Sequence, residues 1–334
     1  MQKKKILLTG ASGTVGIEVF NLLWNRKQNY DITLLLRNSK KNRKKFRRFE
    51  SKINIIWGDL VNFDDVKKAI NENEVILHVA AALPDIAIIN PDLTRTINVG
   101  GTEHILKAIV DQKIKPKIIY TSSVALYGDR RSNPIIHVSD PVQNLDNNVY
   151  TETKIKSEHL IKNSGLEHLI FRVAYVVSTD VIRFRPIMFH MPLDTPVEAI
   201  HAKDVALALI NAIERDDLWG NTFNLGGGKE CQIMYKDNLN DLFKIMGFGR
   251  SFLPESAFTR ENFHCGFYDL AESRKLNDLL QFQNHNLEYF YNEVRKWIGF
   301  KRFLVPLVRP FLRKLILRKS EFYKRAKIEE KSSK

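Results

Sequence analysis

The chain has 334 residues, 44% of them hydrophobic, and a formal net charge of +14, which is length and apolar content enough for one large α/β domain with a smaller lobe. Two cysteines, Cys231 and Cys265, exclude a disulfide framework and a cysteine metal cluster, no metal site is expected, and no run approaches the roughly 18 apolar residues of a membrane span. The charge is concentrated: residues 37–52 hold nine Lys/Arg against one Glu, residues 301–334 hold twelve against three, and the rest sums to −3. The body is therefore not basic, and nucleic acid is not the expected partner.

From the N-terminus, the apolar run after Lys3 stops at Thr9-Gly10, too short for a secretory leader, so the expected compartment is the cytoplasm. Lys5 to Val19 reads as a strand that turns on glycines straight into a helix. Gly10, Gly13 and Gly16 keep the spacing G-x-x-G-x-x-G: the first permits the tight turn, the second admits backbone close to a pyrophosphate, and the third lets helix pack on strand. The helix then offers unpaired N–H groups and its positive end to phosphate. A glycine-rich turn without a ligand is the bland alternative. Further β-type runs at Ile32–Leu36, Ile53–Trp57, Val75–Val79, Ile118–Tyr120 and Leu169–Val173 alternate with helical patterns at 14–26, 63–72, 97–112 and 148–163. Such alternation predicts a Rossmann-type, doubly wound parallel sheet. Beyond residue 178, Pro186, Pro192 and Pro196 break the pattern, and a helix at 202–214 and a strand at 222–225 return to the sheet. The expected organisation is a dinucleotide-binding domain over 1–177 with 201–226 returning to it, a substrate lobe from 178–200 and 227–299, and an appendage over 300–334.

The second strand ends Leu35-Leu36-Arg37, with Lys40, Lys41, Arg43, Lys44 and Lys45 following in what reads as a loop. A cation at this position suits a 2′-phosphate where an acid would bind a ribose hydroxyl, so NADP(H) is expected over NAD(H). Tyr150 and Lys154 are four residues apart on a predicted helix, which puts phenol and ammonium on one face. A nearby ammonium would lower the phenol pKa and make it a usable acid/base. Upstream, Thr121-Ser122-Ser123 leaves a strand at its carboxyl end, where open α/β sheets bind ligands and a serine can donate to a developing oxyanion.

Taken together, these residues resemble the extended short-chain dehydrogenase/reductase superfamily, the NAD-dependent epimerase/dehydratase group, over about residues 4–230. The resemblance implies that Ser12, Thr14 and Val15 line the glycine turn, that Asp59 and Leu60 contact adenine, and that Val79, Ala80 and Ala81 form the turn after the fourth strand. It also implies a structural asparagine at Asn98 and a place for it with Thr121, Ser122 and Tyr150 among the cofactor-binding residues. Catalytic roles follow for Ser123, Tyr150 and Lys154, with a nicotinamide-ribose contact for Lys154, and Ser122 and Ser123 positioning the reacting oxygen. His78 and His201 are read as packing residues. The expected reaction moves a proton through Tyr150 while hydride passes between the adjacent carbon and the nicotinamide.

Two departures matter. Val124 and Ala125 stand where dehydratases of the group carry Asp-Glu, and Tyr175 stands where sugar-nucleotide epimerases usually show asparagine. An epimerase acting on a sugar nucleotide or related small molecule stands first, with an NADPH-linked ketone reductase or hydroxysteroid dehydrogenase-like enzyme close behind and a non-catalytic dinucleotide sensor third. Arg183 and Arg185 could clasp a substrate diphosphate or sit in a solvated loop. The family also suggests a homodimer. In the appendage, Leu304, Val308, Phe311, Leu312 and Leu315 share a helical face opposite Arg302, Arg309 and Arg313, with Pro306 and Pro310 limiting the helix. This pattern is read either as peripheral contact with a membrane's inner face through 301–325 or as a docked terminal helix followed by a basic tail.

Overall fold

The computed structural model describes residues 2–144, 147–181, 184–261 and 263–332. In chain order its elements are β1 (Lys4–Thr9), α1 (Thr14–Asn25), β2 (Tyr30–Leu36), α2 (Lys40–Phe46), β3 (Asn54–Trp57), α3 (Phe63–Ile70), β4 (Val75–His78), α4 (Pro84–Ile89), α5 (Pro91–Arg95), α6 (Gly101–Val110) and β5 (Lys117–Ser123). There follow β6 (Ile135–Ile136), α7 (Val149–Lys162), β7 (His168–Val173), β8 (Tyr175–Val177), β9 (Pro196–His201), α8 (Ala202–Ala212), β10 (Thr222–Leu225), β11 (Gln232–Met234) and α9 (Tyr235–Ile245). The chain ends with β12 (Phe267–Tyr268), α10 (Leu270–Leu280), α11 (Leu287–Ile298), α12 (Val305–Leu317) and α13 (Glu321–Ser332).

Seven strands form one sheet in the order β3-β2-β1-β4-β5-β7-β10, and every pairing in it is parallel. Successive side chains of a strand point to opposite faces, and here both faces are covered. Ile6 and Leu8 of β1, with Ile32, Leu34 and Leu36 of β2, join the core under α1 and α8. Leu7, Leu35 and Ile76 join a second core with Val66, Ile70, Ile105 and Ile109 of α3 and α6. Burial on both faces is why these strands read as unbroken apolar runs. The strand order reverses direction between β1 and β4, and that reversal opens the crevice in which such sheets bind ligands.

A second, small sheet runs β11-β9-β8, antiparallel between β9 and β11 and parallel between β9 and β8. The basic stretch expected as a loop is instead α2, capped by Ser39 accepting from Asn42 N–H. Phe46 and the following Phe49 bury edge-on against Phe20, and two buried aromatics are enough to fold a run of cations onto the body. Pro306 and Pro310 do not break α12. Pro306 occupies the first turn, where its missing N–H is not needed, and Pro310 is carried inside the helix. No helix among the described residues is long and apolar enough to cross a membrane.

Candidate active site

At the end of β1, Gly10 adopts φ +76°, and a Cβ there would lie 2.7 Å from Ala80 N. A Cβ on Gly16 would lie 2.0 Å from Gly10 O, so the first turn of α1 packs directly on the strand end. Gly13 caps α1 without a side chain, and no acidic residue stands in the first turn. The N–H groups of Thr14, Val15 and Gly16 have no intrahelical acceptors and face the crevice as an anion cradle. Next to it lies a cleft of about 700 Å³ lined by Ser12, Gly13, Arg37, Lys41, Trp57 and Asp59, among others. Asn42 Nδ2 donates to Arg37 O at 2.8 Å and holds the strand end in place. Arg43 stacks on the Trp57 ring at 4.1 Å. Asp59 turns one oxygen onto Val61 N–H at 3.2 Å, and Leu60 is buried under Gly101. Lys45, passed over on sequence, reaches the glycine turn: its Nζ donates to Ser12 O at 3.4 Å, and burial pulls its pKa below the ordinary lysine value. Its one sequence signal was the charge run itself, which gives no direction.

A buried polar chain runs from β1 to α7. His78 Nδ1 lies 2.9 Å from Thr9 Oγ1, and its Nε2 lies 3.2 Å from Thr102 Oγ1. The Thr102 hydroxyl donates to Asn98 O at 2.7 Å. His78 therefore donates through Nε2–H and accepts from Thr9 at Nδ1. Burial pushes its pKa down to about 3, so it stays neutral and structural, as the packing reading expects. Asn98 sits in a π-turn over Thr96–Gly100, where the wider spacing turns it inward. It accepts from Ala82 N–H at 2.7 Å and donates to Thr153 Oγ1 at 3.0 Å. Asn98 thus ties the loop after Val79, Ala80 and Ala81 to the helix carrying the tyrosine.

Ser123 closes β5 and accepts from Ala125 N–H at 3.2 Å. Tyr150 lies in the first turn of α7, whose cap Asn148 accepts from Thr151 N–H. Its phenol is buried, and burial raises its pKa while a hydrogen bond with Ser123 pulls the other way. One turn on, Lys154 is 3% exposed. Its Nζ donates to Thr121 O at 2.7 Å and to Tyr120 OH at 3.1 Å. The expected lowering of the phenol pKa is therefore not seen: the ammonium is turned to β5, and desolvation of the phenol outweighs the Ser123 contact. Burial instead acts on the lysine, whose pKa falls to about 7. Ser122 is buried beside them.

Other candidates have structural partners. Arg172 forms a buried two-pronged pair with Glu158 at 3.0 and 2.8 Å and donates to Tyr127 OH at 2.7 Å. His201 Nε2 faces Glu293 at 2.9 Å. Arg185 pairs through one guanidinium nitrogen with Asp85 of α4 at 2.9 Å, and Arg183 lies outside the described residues. Among the described residues His137, Asp269 and Glu272 come within metal-ligand reach of one another. Both carboxylates there already take backbone donors.

The 3-beta hydroxysteroid dehydrogenase/isomerase family model matches residues 7–170. The 3beta-hydroxysteroid-dehydrogenase/decarboxylase isoform 2 of Arabidopsis thaliana is 34% identical over 117 residues, which is 34% of this chain and 20% of that protein. The chain thus matches about a fifth of the length of that curated relative. Among solved structures, the UDP-glucuronic acid 4-epimerase of Bacillus cereus is 22% identical with a TM-score of 0.69, over 88% of this chain and 99% of its own. The UDP-Glc/GlcNAc 4-epimerase of Campylobacter jejuni is 19% identical with a TM-score of 0.69 over the same shares. At these identities the structural likeness establishes the fold.

Proposed function

We propose that the chain is a dinucleotide-dependent oxidoreductase of the extended short-chain dehydrogenase/reductase type, acting on a secondary alcohol or ketone with NADP(H) preferred over NAD(H), a reading that the family-model match and the shared fold support. One observation carries this reading. The Ser123 hydroxyl and Tyr150 phenol meet at the carboxyl end of the sheet, with Lys154 one helical turn on. The glycine cradle stands two strands away.

The cradle fits a dinucleotide. A Cβ at Gly10 or Gly16 would close it, and the uncapped start of α1 would hold the pyrophosphate. Arg37, with Ser39 and Lys41 of the same cleft, would take the 2′-phosphate. When bound, the nicotinamide would give or take the hydride that changes the oxidation level of the substrate carbon. Tyr150 moves the proton on the substrate oxygen. A raised pKa keeps the phenol protonated at neutral pH, ready to donate to a ketone, and Ser123 holds the same oxygen by a second hydrogen bond. Lys154 would reach the nicotinamide ribose from its place under Tyr150.

The relatives named as hydroxysteroid dehydrogenases support a simple dehydrogenase or reductase. So does the cationic edge at Arg37, because epimerases, which keep the dinucleotide bound, usually use NAD, and a cation there suits a 2′-phosphate. A UDP-sugar epimerase, the reading the solved structures suggest by their names, would use the same half-reaction on a dinucleotide it keeps. Purified protein that holds its dinucleotide through dialysis would favour the epimerase. Tyr150→Phe tests the core claim: turnover on a panel of ketones, sterols and UDP-sugars should fall by roughly 10²–10⁴ while dinucleotide affinity is kept. Unchanged turnover would refute the role of Tyr150.

A further inference from the structure

We propose that α12 and the turn before it form a docking face for an anionic lipid surface. This inference does not rest on the chemistry assigned to Tyr150. The stripe Leu304, Leu307, Val308, Phe311 and Leu315 occupies one side of the helix, and all five are exposed, Leu307 by 79% and Phe311 by 64%. Phe300 and Phe303 extend it from the preceding turn, also exposed. A monomeric protein seldom leaves so large a contiguous apolar patch in water.

The helix is held by its other sides. Val305, Ile316 and Leu317 are buried, Arg313 Nε donates to Phe252 O at 2.8 Å, and Arg309 lies over the Phe252 ring at 5.9 Å. Past the helix end, Lys319 Nζ donates to Phe184 O and Ser320 Oγ to Ala257 O. The apolar stripe is thus fixed outward on the folded body.

Charge selects the occupant. No acidic residue occurs between Glu293 and Glu321. Lys301, Lys314 and Arg318 are exposed around the stripe, and among the described residues no hydrogen bond or ion pair engages their side chains. A second copy docked on the same face would set these cations against their own counterparts with no carboxylate to offset them. An anionic headgroup layer neutralises them while its acyl boundary takes the stripe, as an in-plane helix requires. At 13 residues the helix is about 20 Å long, suited to lying in the interface and too short to cross it.

The test uses the full chain, pelleted with phosphatidylcholine vesicles with and without phosphatidylglycerol, at low and high salt. The proposal expects pelleting only with phosphatidylglycerol, weakened by salt. It also expects loss of at least tenfold in partition for Leu307→Glu/Phe311→Glu, and about fivefold per charge for Lys301→Glu and Lys314→Glu, with thermal midpoints close to the parent's. Equal pelleting on both vesicle types, or pelleting that survives all four substitutions, would overturn it. So would a dimer in lipid-free buffer that Leu307→Glu/Phe311→Glu converts to monomer, since a second copy would then be the occupant.

Discussion

Replacing Lys154 with methionine should make the cofactor-free protein more stable at neutral pH, although the residue belongs to the candidate catalytic set. Lys154 titrates near 7 in the folded protein against 10.5 for an ordinary lysine. Between those values the unfolded chain binds the extra proton, so stability rises with pH, by about 1.4 kcal/mol per unit. The penalty is fully present below pH 7 and gone above 10.5. At pH 7 it is on the order of 4 kcal/mol, and at pH 9 about 2 kcal/mol. Methionine removes it and gives up two hydrogen bonds, to Thr121 O and Tyr120 OH, worth about 1 kcal/mol each. The variant should therefore gain roughly 2 kcal/mol at pH 7 and match the parent near pH 9. Other strongly shifted groups act outside this window. Burial drives His78 down to about 3 and Glu198 up to about 7, so both act below pH 7, while Cys231 and Cys265, pushed up to about 12, act above pH 9. Urea unfolding of both proteins at pH 7, 8 and 9 measures the difference directly. A difference that stays constant across the three pH values would show that Lys154 is not held as a desolvated ammonium. If Lys154 serves the dinucleotide, the same stabilised variant should bind it more weakly.

Arg37→Glu should weaken NADPH binding at least tenfold while leaving NADH nearly unchanged in a fluorescence titration, because the carboxylate repels a 2′-phosphate and can accept from a 2′-hydroxyl; an equal loss for both would remove Arg37 from the cofactor edge. Gly16→Ala should abolish dinucleotide binding and lower the thermal midpoint by several degrees, since its Cβ would stand 2.0 Å from Gly10 O and α1 must shift off β1. A variant with parental midpoint and affinity would contradict that packing.

What the sequence made legible and what it did not divide along a physical line. Central parallel strands are buried on both faces, so Ile6, Leu7 and Leu8 or Val75, Ile76 and Leu77 announce themselves as apolar runs, and positive-φ Gly10 announces a turn. Four-residue spacing likewise put Tyr150 and Lys154 on one helical face. Direction was not legible. The choice of Lys154 to bond Tyr120 and Thr121 depends on a strand some 30 residues upstream in sequence, and the inward turn of Asn98 depends on a π-turn that leaves no apolar periodicity. Helix α4 lies between Leu83 and Asn90, ending just before Pro91, and its exposed Ile88 and Ile89 supply no buried stripe to detect.

Helix α12 shows why an amphipathic pattern identifies two faces without saying which is inside. The general rule would bury Leu304, Val308, Phe311 and Leu315 and leave the arginines in water. Instead those four stay exposed alongside Arg309 and Arg313: the helix docks through buried Val305, Ile316 and Leu317, with Leu312 half-buried against the core, while Arg313 Nε donates to Phe252 O and the Arg309 guanidinium lies over the Phe252 ring. Turning the exposed stripe to the body would instead remove Val305, Ile316 and Leu317 from the core and leave Phe252 O without this donor. The body thus uses a narrow apolar edge of the helix and two arginine contacts, and leaves the stripe of Leu304, Leu307, Val308, Phe311 and Leu315 in water. A side of the helix that the fold itself does not consume is available to a partner, and the lysines around it make an anionic one the favourable choice.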